Sequence, residues 1–196
     1  RKDGNTAIAL NEMIKVFESQ GIETELLHIG GKDIRGCIAC GKCRQLGHCV
    51  FDDIVVQASQ KLAEADGLVV GSPVYYAAAN GTVVSFMDRL FYSNSADLRM
   101  KVGAAVSVAR RGGQTTTFDQ LNKYFTISNM PVAPSQYWNM VHGNRPEEVL
   151  QDKEGLQIMH TLGRNMAWLL QCIEAGKKAG VQEPAAEQKV FTNFIR

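Results

Sequence analysis

Apolar and polar positions alternate along the chain in blocks that predict helices and strands in turn. Residues 6–20 carry apolar side chains at helical spacing and end at Gly21, which predicts an amphipathic helix. Residues 22–29 follow as a predicted strand. The run 67–71 is short and wholly apolar, which is typical of a strand buried on both faces of a parallel sheet. Residues 102–108 are predicted to form the next apolar strand.

The segments around these strands have helical periodicity. Asp52 or Asp53 is expected to cap a helix that runs to about residue 65. Further helices are predicted over 82–92 and 115–128, and residues 136–142 are a candidate last strand. Strands and helices therefore follow one another through most of the chain.

This alternation predicts a single α/β domain over residues 1–196, built on an open, doubly wound parallel sheet. A cysteine-rich loop at 33–50 interrupts the pattern, and a C-terminal helix plus tail at 146–196 completes it. The sequence has no internal repeat or linker that would divide it. Sheets of this type bind ligands at the carboxyl ends of their strands. Four loops are expected at that edge: residues 1–6, 30–50, 71–81 and 109–115.

Composition and charge narrow the classes of function. The 196 residues are 45% hydrophobic, which suffices for one well-buried domain, and a net charge of +1 gives no reason to expect nucleic acid or an anionic membrane. No apolar run approaches the ~20 residues of a transmembrane helix. Four of the five cysteines lie in one short segment, which favours free thiols in a reducing, cytoplasmic setting over a disulfide framework.

The cysteine segment is the strongest chemical signal. Its C-x2-C-x2-C-x5-C run consists of Cys37, Cys40, Cys43 and Cys49. Thiolates at this spacing can converge on a soft metal centre. Four interpretations stay open: a [4Fe–4S] cluster, a zinc site, a thiol–disulfide switch, and free thiols with no ligand. Cys172 lies apart in a helical pattern and is predicted to be a small buried residue.

The N-terminal turn is a candidate anion site. The N–H groups of a helix N-terminus, the side chains of Asn5 and Thr6 and the charge of Arg1 can together hold a phosphate. A plain helix cap explains Asn5 and Thr6 equally well. The sequence has no G-x-x-x-x-G-K-[ST] run and no G-x-G-x-x-G motif after a strand, so nucleoside triphosphate and Rossmann dinucleotide sites are disfavoured.

Two further loops have the composition of a ligand site. Residues 71–81 combine Pro73 with small residues, so their backbone can approach a flat ligand. Tyr75 and Tyr76 can stack on a ring or pack on a neighbouring subunit. Residues 110–114 add two arginines and two glycines. The alternatives are that the tyrosines simply cover the end of the sheet and that the arginines are solvated in an ordinary turn.

Together these loops resemble those of the flavodoxin-like NAD(P)H-dependent FMN reductase family. The resemblance rests on the polar N-terminal turn, on Gly-Ser-Pro-Val-Tyr at 71–75 with the following Asn80-Gly81, and on the Gly112-Gly113 pair. With the compact cysteine run, the chain is most similar to the iron–sulfur flavoproteins of that group. The resemblance implies a five-stranded parallel sheet of order 2-1-3-4-5, whose central first strand is expected to be missing from this numbering.

The resemblance also implies roles for individual residues. The FMN phosphate would contact Arg1, Asn5 and Thr6. The isoalloxazine ring would lie along Pro73, Val74, Tyr75 and Tyr76, with Asn80 nearby and with Arg110, Gly112 and Gly113 on the opposite side. A [4Fe–4S] cluster would be bound by Cys37, Cys40, Cys43 and Cys49. The flavin would carry the chemistry, so no protein residue is assigned as catalytic.

The implied function is that of an FMN-dependent oxidoreductase. It would pass electrons from NAD(P)H or a ferredoxin-like donor to a small acceptor or redox partner. Two alternatives belong to other classes: a non-enzymatic FMN and iron–sulfur electron carrier, and a flavin-binding thiol redox sensor. The long cysteine loop and the C-terminal tail indicate contacts within a homo-oligomer, a dimer or a tetramer.

Overall fold

The computed structural model describes residues 1–194, in which helices and strands follow one another. The helices are α1 Asn5–Ser19, α2 Cys43–Leu46, α3 Ile54–Glu64, α4 Gly81–Ser93, α5 Gln114–Ile127, α6 Pro146–Val149 and α7 Lys153–Lys178, and the strands are β1 Gly67–Tyr75, β2 Ala78–Ala79, β3 Val102–Ala109 and β4 Met140–His142. The helices predicted over 6–20, 82–92 and 115–128 are confirmed to within one residue at each end.

The strands form a sheet of order β2-β1-β3-β4. β1, β3 and β4 are parallel, with Ser107 of β3 opposite Met140 of β4, whereas β2 runs antiparallel to the end of β1. The parallel strands match the third, fourth and fifth strands of the predicted order. β2 was predicted as part of a loop; it forms because a two-residue turn brings Ala78 back beside Tyr75.

Helices cover both faces of the sheet, and β3 lies at the centre of the core, since all eight of its residues are buried. Successive side chains of a strand point to opposite faces. Ala105 accordingly packs with residues of α3, α4 and α5, while the face toward α1 and α7 carries Val102, Ala104, Val106 and Val108. Full burial of one valine in such a layer stabilises the fold by about 1.5–3 kcal/mol.

The packing of α1 on α7 fixes the position of α1 relative to the sheet. Ala9, Met13 and Phe17 are four residues apart and form its buried face. Gly163 of α7 lies so near that an added Cβ would be 3.0 Å from Cβ of Val16. Truncation of the fully buried Met13 to alanine would cost about 2–5 kcal/mol. This anchoring holds the first turn of α1 at the edge where the parallel strands end.

The strand predicted at 22–29 is not formed. These residues make no strand pairing within residues 1–194, although Leu27 and Ile29 pack on the core. Leu26, expected inside, is 45% exposed. A strand needs a neighbour for its backbone hydrogen bonds, and within the described chain β1 has no partner strand on its second edge over 67–73. The central strand expected before Arg1 stays a prediction.

The C-terminal part is helical as far as Lys178, and residues 181–194 are exposed without helix or strand. The last two residues of the predicted tail lie outside the described residues. Cys172 is exposed, so its predicted burial is wrong: the buried face of α7 runs through Ile158, Leu162 and Met166, and Cys172 lies on the other side of the helix. None of the helices in residues 1–194 could span a bilayer.

Candidate functional site

The first candidate site lies at the edge of the sheet where β1, β3 and β4 end. Because these strands are parallel, Tyr75, Ala109 and His142 are brought to the same edge. α1 begins there too, since Nδ2 of Asn5 donates a hydrogen bond to the carbonyl oxygen of Gly143 at 2.6 Å. The N-terminal turn and the strand-end loops that the sequence singled out therefore lie side by side.

The N-terminal turn is held from two directions. Arg1 is exposed, and its carbonyl oxygen lies 3.2 Å from Nε2 of His28. Thr6 is half-buried, and its Cγ2 would be 2.9 Å from a Cβ added at Gly71, so α1 approaches β1 closely. Oδ1 of Asn5 is buried and has no hydrogen-bond partner within the described residues. An unpaired buried acceptor is costly unless a ligand or water supplies a donor.

The loop after β1 is a tight hairpin turn that exposes two aromatic rings. Tyr75 pairs with Ala78, which leaves Tyr76 and Ala77 as a two-residue turn with φ angles of 49° and 58°. This left-handed conformation costs free energy for any residue with a side chain. Tyr75 is 56% exposed and Tyr76 is fully exposed, so the fold places both rings in solvent beside the edge.

The loop after β3 packs directly on the loop after β1. Gly113 has a φ angle of +91°, and a Cβ added there would lie 2.7 Å from Cα of Ala77 and 2.9 Å from Cγ1 of Val74. Glycine alone suits both the conformation and the space. Arg110 and Gly112 are exposed on the same loop. Since Val74 and Gly113 are neighbours, the two loops form one continuous wall at this point.

Pro73 and Asn80 frame the hairpin turn. Pro73 is half-buried near the end of β1, opposite Val108 of β3. Asn80 caps α4, because its Oδ1 accepts a hydrogen bond from the backbone N–H of Thr82 at 3.0 Å. The backbone N–H of Asn80 donates to Oγ of Ser72 at 3.0 Å. Oδ1 of Asn80 therefore serves as the cap of α4.

Three buried polar side chains near this edge were not predicted. Gln114 follows Gly113 directly, and the backbone N–H of Ser107 donates to the carbonyl oxygen of Asn139 at 3.0 Å. Nε2 of Gln114, Oγ of Ser107 and Nδ2 of Asn139 have no hydrogen-bond partner within residues 1–194. Buried polar atoms are normally paired, and a bound ligand or water would supply the missing partners. The signal in the sequence was slight: a glutamine after two glycines and an asparagine before a strand.

A second candidate site lies in the cysteine segment. The four cysteines of the run line one cleft together with Arg89 and Tyr92 of α4. Cys49 is the buried member, and the more accessible ones are Cys37, Cys40 and Cys43. No three side chains of His, Cys, Asp or Glu among residues 1–194 are close enough to share one metal ion. In a four-iron cluster each cysteine binds a different iron, so a common cleft is the relevant geometry.

Left-handed backbone folds the run around this cleft. Ala39, Gly41 and Gly47 have left-handed φ angles of 53°, 68° and 74°, which are found in tight turns. The backbone N–H of Ala39 donates to Sγ of Cys37 at 3.4 Å. Cys43 begins the short helix α2, which ends at Gly47. The glycines of the segment therefore serve its tight folding.

A buried ion pair closes the inner side of the cleft. Arg89 is 1% exposed, and its Nη1 and Nη2 donate to the two carboxylate oxygens of Asp53 at 2.7 and 2.9 Å. Burial by itself lowers the pKa of Arg89, but its hydrogen bonds to Asp53 and Cys49 outweigh this effect and hold the pKa above its usual value. The guanidinium is therefore a permanent cation beside the thiols.

The residues at both places fit the groups that the resemblance implies. At the sheet edge, the unpaired acceptor of Asn5 and the unpaired donor of Gln114 suit a ligand such as FMN, whose ring and ribityl chain carry both acceptors and donors. At the cleft, the donor set is four thiols beside the cation of Arg89. Four thiolates are the ligand set of a [4Fe–4S] cluster, and a neighbouring cation suits its negative charge.

Comparison with solved structures shows that the fold is flavodoxin-like. A flavodoxin from the Archaea aligns with a TM-score of 0.57 at 18% identity, over 85% of this chain and 91% of that chain. RosB, solved with bound 8-demethyl-8-formylriboflavin-5′-phosphate, aligns with a TM-score of 0.66 at 16% identity, over 97% of this chain and 85% of that chain. At these identities the likeness shows the fold alone.

The sequence itself identifies the family. Residues 1–145 match the NADPH-dependent FMN reductase family, and the chain belongs to it. An iron–sulfur flavoprotein of Methanocaldococcus jannaschii is 34% identical over 182 residues, which are 89% of this chain and 94% of that protein. The resemblance inferred from the loops and the cysteine run is thereby confirmed.

Proposed function

We propose that the protein is an FMN-dependent oxidoreductase that also holds a [4Fe–4S] cluster. It passes electrons from NAD(P)H or a ferredoxin-like donor to a small acceptor or redox partner. The observation that carries this proposal is the meeting of the N-terminal turn and the loops after β1 and β3 at one sheet edge, with unpaired buried polar atoms beside them. The name of the iron–sulfur flavoprotein relative supports the second cofactor.

At the sheet edge the chain would bind and orient the flavin. The N–H groups of the first turn of α1 would hold the phosphate, together with Arg1, Asn5 and Thr6. The ring would be bordered by Pro73, Val74, Tyr75, Tyr76, Asn80, Arg110, Gly112 and Gly113. Bound FMN supplies hydride and single-electron chemistry. The exposed rings of Tyr75 and Tyr76 would keep water from part of its surface.

At the cleft the irons of the cluster would be bound by Cys37, Cys40, Cys43 and Cys49. We propose that residues 1–196 form a single domain, so that α4 joins the two places rigidly. Asn80 caps the start of α4, and Arg89 of the cleft follows nine residues later. That separation is about 14 Å along a helix axis. Both cofactors would then belong to one unit within each subunit.

The decisive measurement is the absorbance spectrum of anaerobically purified protein, with flavin, iron and sulfide analysis. About one FMN and about four irons per chain are expected from the proposed cofactors. Flavin with no more than a trace of iron would contradict the cluster and leave a plain flavoprotein. Failure to bind flavin after incubation with FMN would contradict the whole proposal.

Two further assays separate the rival classes. Steady-state oxidation of NAD(P)H by the isolated protein is expected of a reductase, whereas a pure electron carrier would show none without a separate reductase. A thiol redox sensor would change its assembly on oxidation, and Cys37→Ser would abolish that change while FMN binding stays intact. Redox-independent assembly would count against the sensor.

We also propose a homo-oligomer, a dimer or a tetramer, in a reducing, cytoplasmic setting. Exposed aromatic side chains are frequent in interfaces, and the exposed aromatic residues of this protein include Tyr92, Tyr137, Trp138 and Trp168. The five cysteines are all free thiols, which suits a reducing compartment. Light scattering across a range of concentrations measures the mass, and a monomer throughout would contradict the oligomer.

A further inference from the structure

Arg89 of α4 uses its whole guanidinium group to hold the cysteine segment. Its Nε donates to Sγ of Cys49 at 3.2 Å, in addition to the paired bonds from Nη1 and Nη2 to Asp53. Nη1 also donates to the carbonyl oxygen of Arg35 at 3.3 Å, and Nη2 to that of Phe51 at 3.4 Å. A guanidinium has five N–H donors, and these five contacts reach the chain on both sides of the cysteine run.

The partners of Arg89 are themselves fixed. The ring of Phe51 lies 4.7 Å from the guanidinium carbon of Arg35 and 5.1 Å from that of Arg89, distances at which cations are attracted to an aromatic face. Oδ1 of Asp53 also caps α3, because it accepts a hydrogen bond from the backbone N–H of Val55 at 3.0 Å. The end of the cysteine segment is therefore locked between α3 and α4.

The bond to the thiol goes beyond what this anchoring requires. The carboxylate of Asp53 already compensates the buried charge of Arg89, and the carbonyl oxygens already hold the segment. Cys49 is the buried cysteine of the run, so the N–H···S bond that it accepts from Arg89 is shielded from water. Hydrogen bonds are electrostatically stronger in the protein interior than in water. One side-chain donor is thus aimed at the innermost sulfur of the cleft.

We propose that Arg89 is a positioning residue for Cys49 and raises the reduction potential of the bound cluster. This inference rests on the proposed cluster. One-electron reduction adds negative charge to the cluster and breaks no bond. A donor aimed at a ligand sulfur stabilises that added charge, which raises the potential. Loss of the Nε–H donor therefore lowers the potential and loosens the ligand.

The test is a reductive titration of the full chain with dithionite as electron donor, followed by electron paramagnetic resonance. Iron and sulfide are measured first, and wild-type protein without iron would refute the proposed cluster, and this inference with it, before any variant is compared. Arg89→Lys keeps the charge and loses the planar fork. Its midpoint potential is expected to move to a more negative value, with faster loss of iron to a chelator. A midpoint equal to that of the wild type would overturn the inference.

Asp53→Asn separates the hydrogen bond from the anchoring. This substitution weakens the ion pair but leaves the Nε–H of Arg89 beside Cys49. Because it also removes a negative charge, the midpoint potential of the cluster is expected to stay unchanged or to rise. A fall as large as that of Arg89→Lys would mean that loosening of the segment sets the potential, which would overturn the inference. Arg99→Lys is the matched control, since the side chain of Arg99 makes three hydrogen bonds to the carboxylate of Asp97 outside the cleft.

The outcome is also defined if Arg89→Lys loses its cluster. A variant that keeps its circular dichroism spectrum and its FMN but holds no iron supports the positioning of Cys49. If Arg89→Lys does not fold, the double variant Arg89→Met with Asp53→Asn replaces it, because it leaves no unpaired buried charge. The same negative shift is expected there, and an unchanged midpoint would overturn the inference.

Discussion

The sheet edge and the cysteine cleft are built in opposite ways. The edge joins residues that are far apart in sequence, since Asn5 bonds to Gly143 and Gly113 packs on Val74. The cleft is largely one continuous segment over 37–51, closed by side chains of α4. A site assembled across the sheet depends on the whole fold, whereas a local segment depends on a few anchors.

This difference predicts that a substitution at one of the two sites leaves the other site intact. A substitution among the cysteines should remove one ligand while the strands stay paired, and a substitution at a strand end should leave the cysteine segment folded. α4 is the element that both share, because Asn80 caps its start and Arg89 points into the cleft from its third turn. The following predictions test that separation.

The largest effect is expected from the loss of one thiol of the cleft. Cys40→Ser removes a ligand, so the protein should lose its four-iron cluster while the FMN content per chain is unchanged. Flavin and iron analysis of anaerobically purified protein measures both. Cys172→Ser is the control, because Cys172 is exposed on α7 outside the cleft, and it should keep the iron. Loss of FMN together with iron in Cys40→Ser would contradict the independence of the two sites.

The next largest effect is expected at the wall that the loops after β1 and β3 form together. Gly113→Val places a side chain where φ is +91° and where an added Cβ would lie 2.7 Å from the backbone of Ala77. Left-handed strain at this position costs about 1–3 kcal/mol of stability. The contact with Ala77 would also displace the wall of the proposed flavin site, so the dissociation constant of FMN should rise by about tenfold or more. Flavin fluorescence titration measures this change, and the iron content should stay as in the wild type.

Gly21→Val is the matched control for this substitution. Gly21 also has a left-handed φ of +71°, but no atom lies within 4 Å of an added Cβ there. It should therefore lower the free energy of unfolding without weakening FMN binding. Equal weakening by both variants would show that general destabilisation, and not the contact of Gly113 with Ala77, explains the loss.

A smaller and more specific effect is expected at Gln114. Its Nε2 is buried without a partner in the described residues, so Gln114→Leu should raise the free energy of unfolding of the apoprotein by about 1 kcal/mol. The same change should weaken FMN binding about five- to tenfold, if the flavin supplies the missing partner. Urea unfolding of the apoprotein measures the free energy of unfolding, and FMN titration measures the dissociation constant. A less stable apoprotein with unchanged FMN affinity would contradict this role.

Much of the fold was predictable because its signals are local. The apolar runs at 67–71 and 102–108 predicted strands, which β1 and β3 confirm. Asp52 or Asp53 was expected as a helix cap, and Asp53 is the cap. The segment 22–29 has the composition of a strand, but pairing depends on a neighbour that periodicity does not supply. The expected single domain and the central strand before Arg1 stay predictions.

The sites were predictable in outline for a similar reason. Parallel topology brings strand ends to one edge, so the ligand loops could be expected to meet, and the cysteine spacing is visible in the sequence. Gln114, Asn139 and Arg89 were missed because their burial depends on packing between distant elements. Arg89 did leave one signal, since it follows Phe86 by three residues and falls on the buried face of α4.

The smallest effect is expected where α1 meets α7, away from both sites. Glu12 of α1 accepts a hydrogen bond from Lys15 and lies 3.0 Å from Nε2 of His160 of α7. Burial raises the pKa of Glu12, but the bonds to Lys15 and His160 outweigh it and hold the pKa below the ordinary value of 4.5. Such a carboxylate stabilises the fold above that value, and its contribution is lost as the pH falls through the lowered pKa.

Glu12→Gln should therefore lower the free energy of unfolding at about pH 7 by a few tenths to about 1 kcal/mol. The difference from the wild type should close as the pH falls below 4.5. Urea unfolding across this pH range measures it, with Glu18→Gln, at an exposed position of the same helix, as the control. FMN and iron contents should not change. If Glu12→Gln lost either cofactor, that site would depend on the distant packing of α1 on α7. Such a result would contradict the independence of the two sites from each other and from this packing.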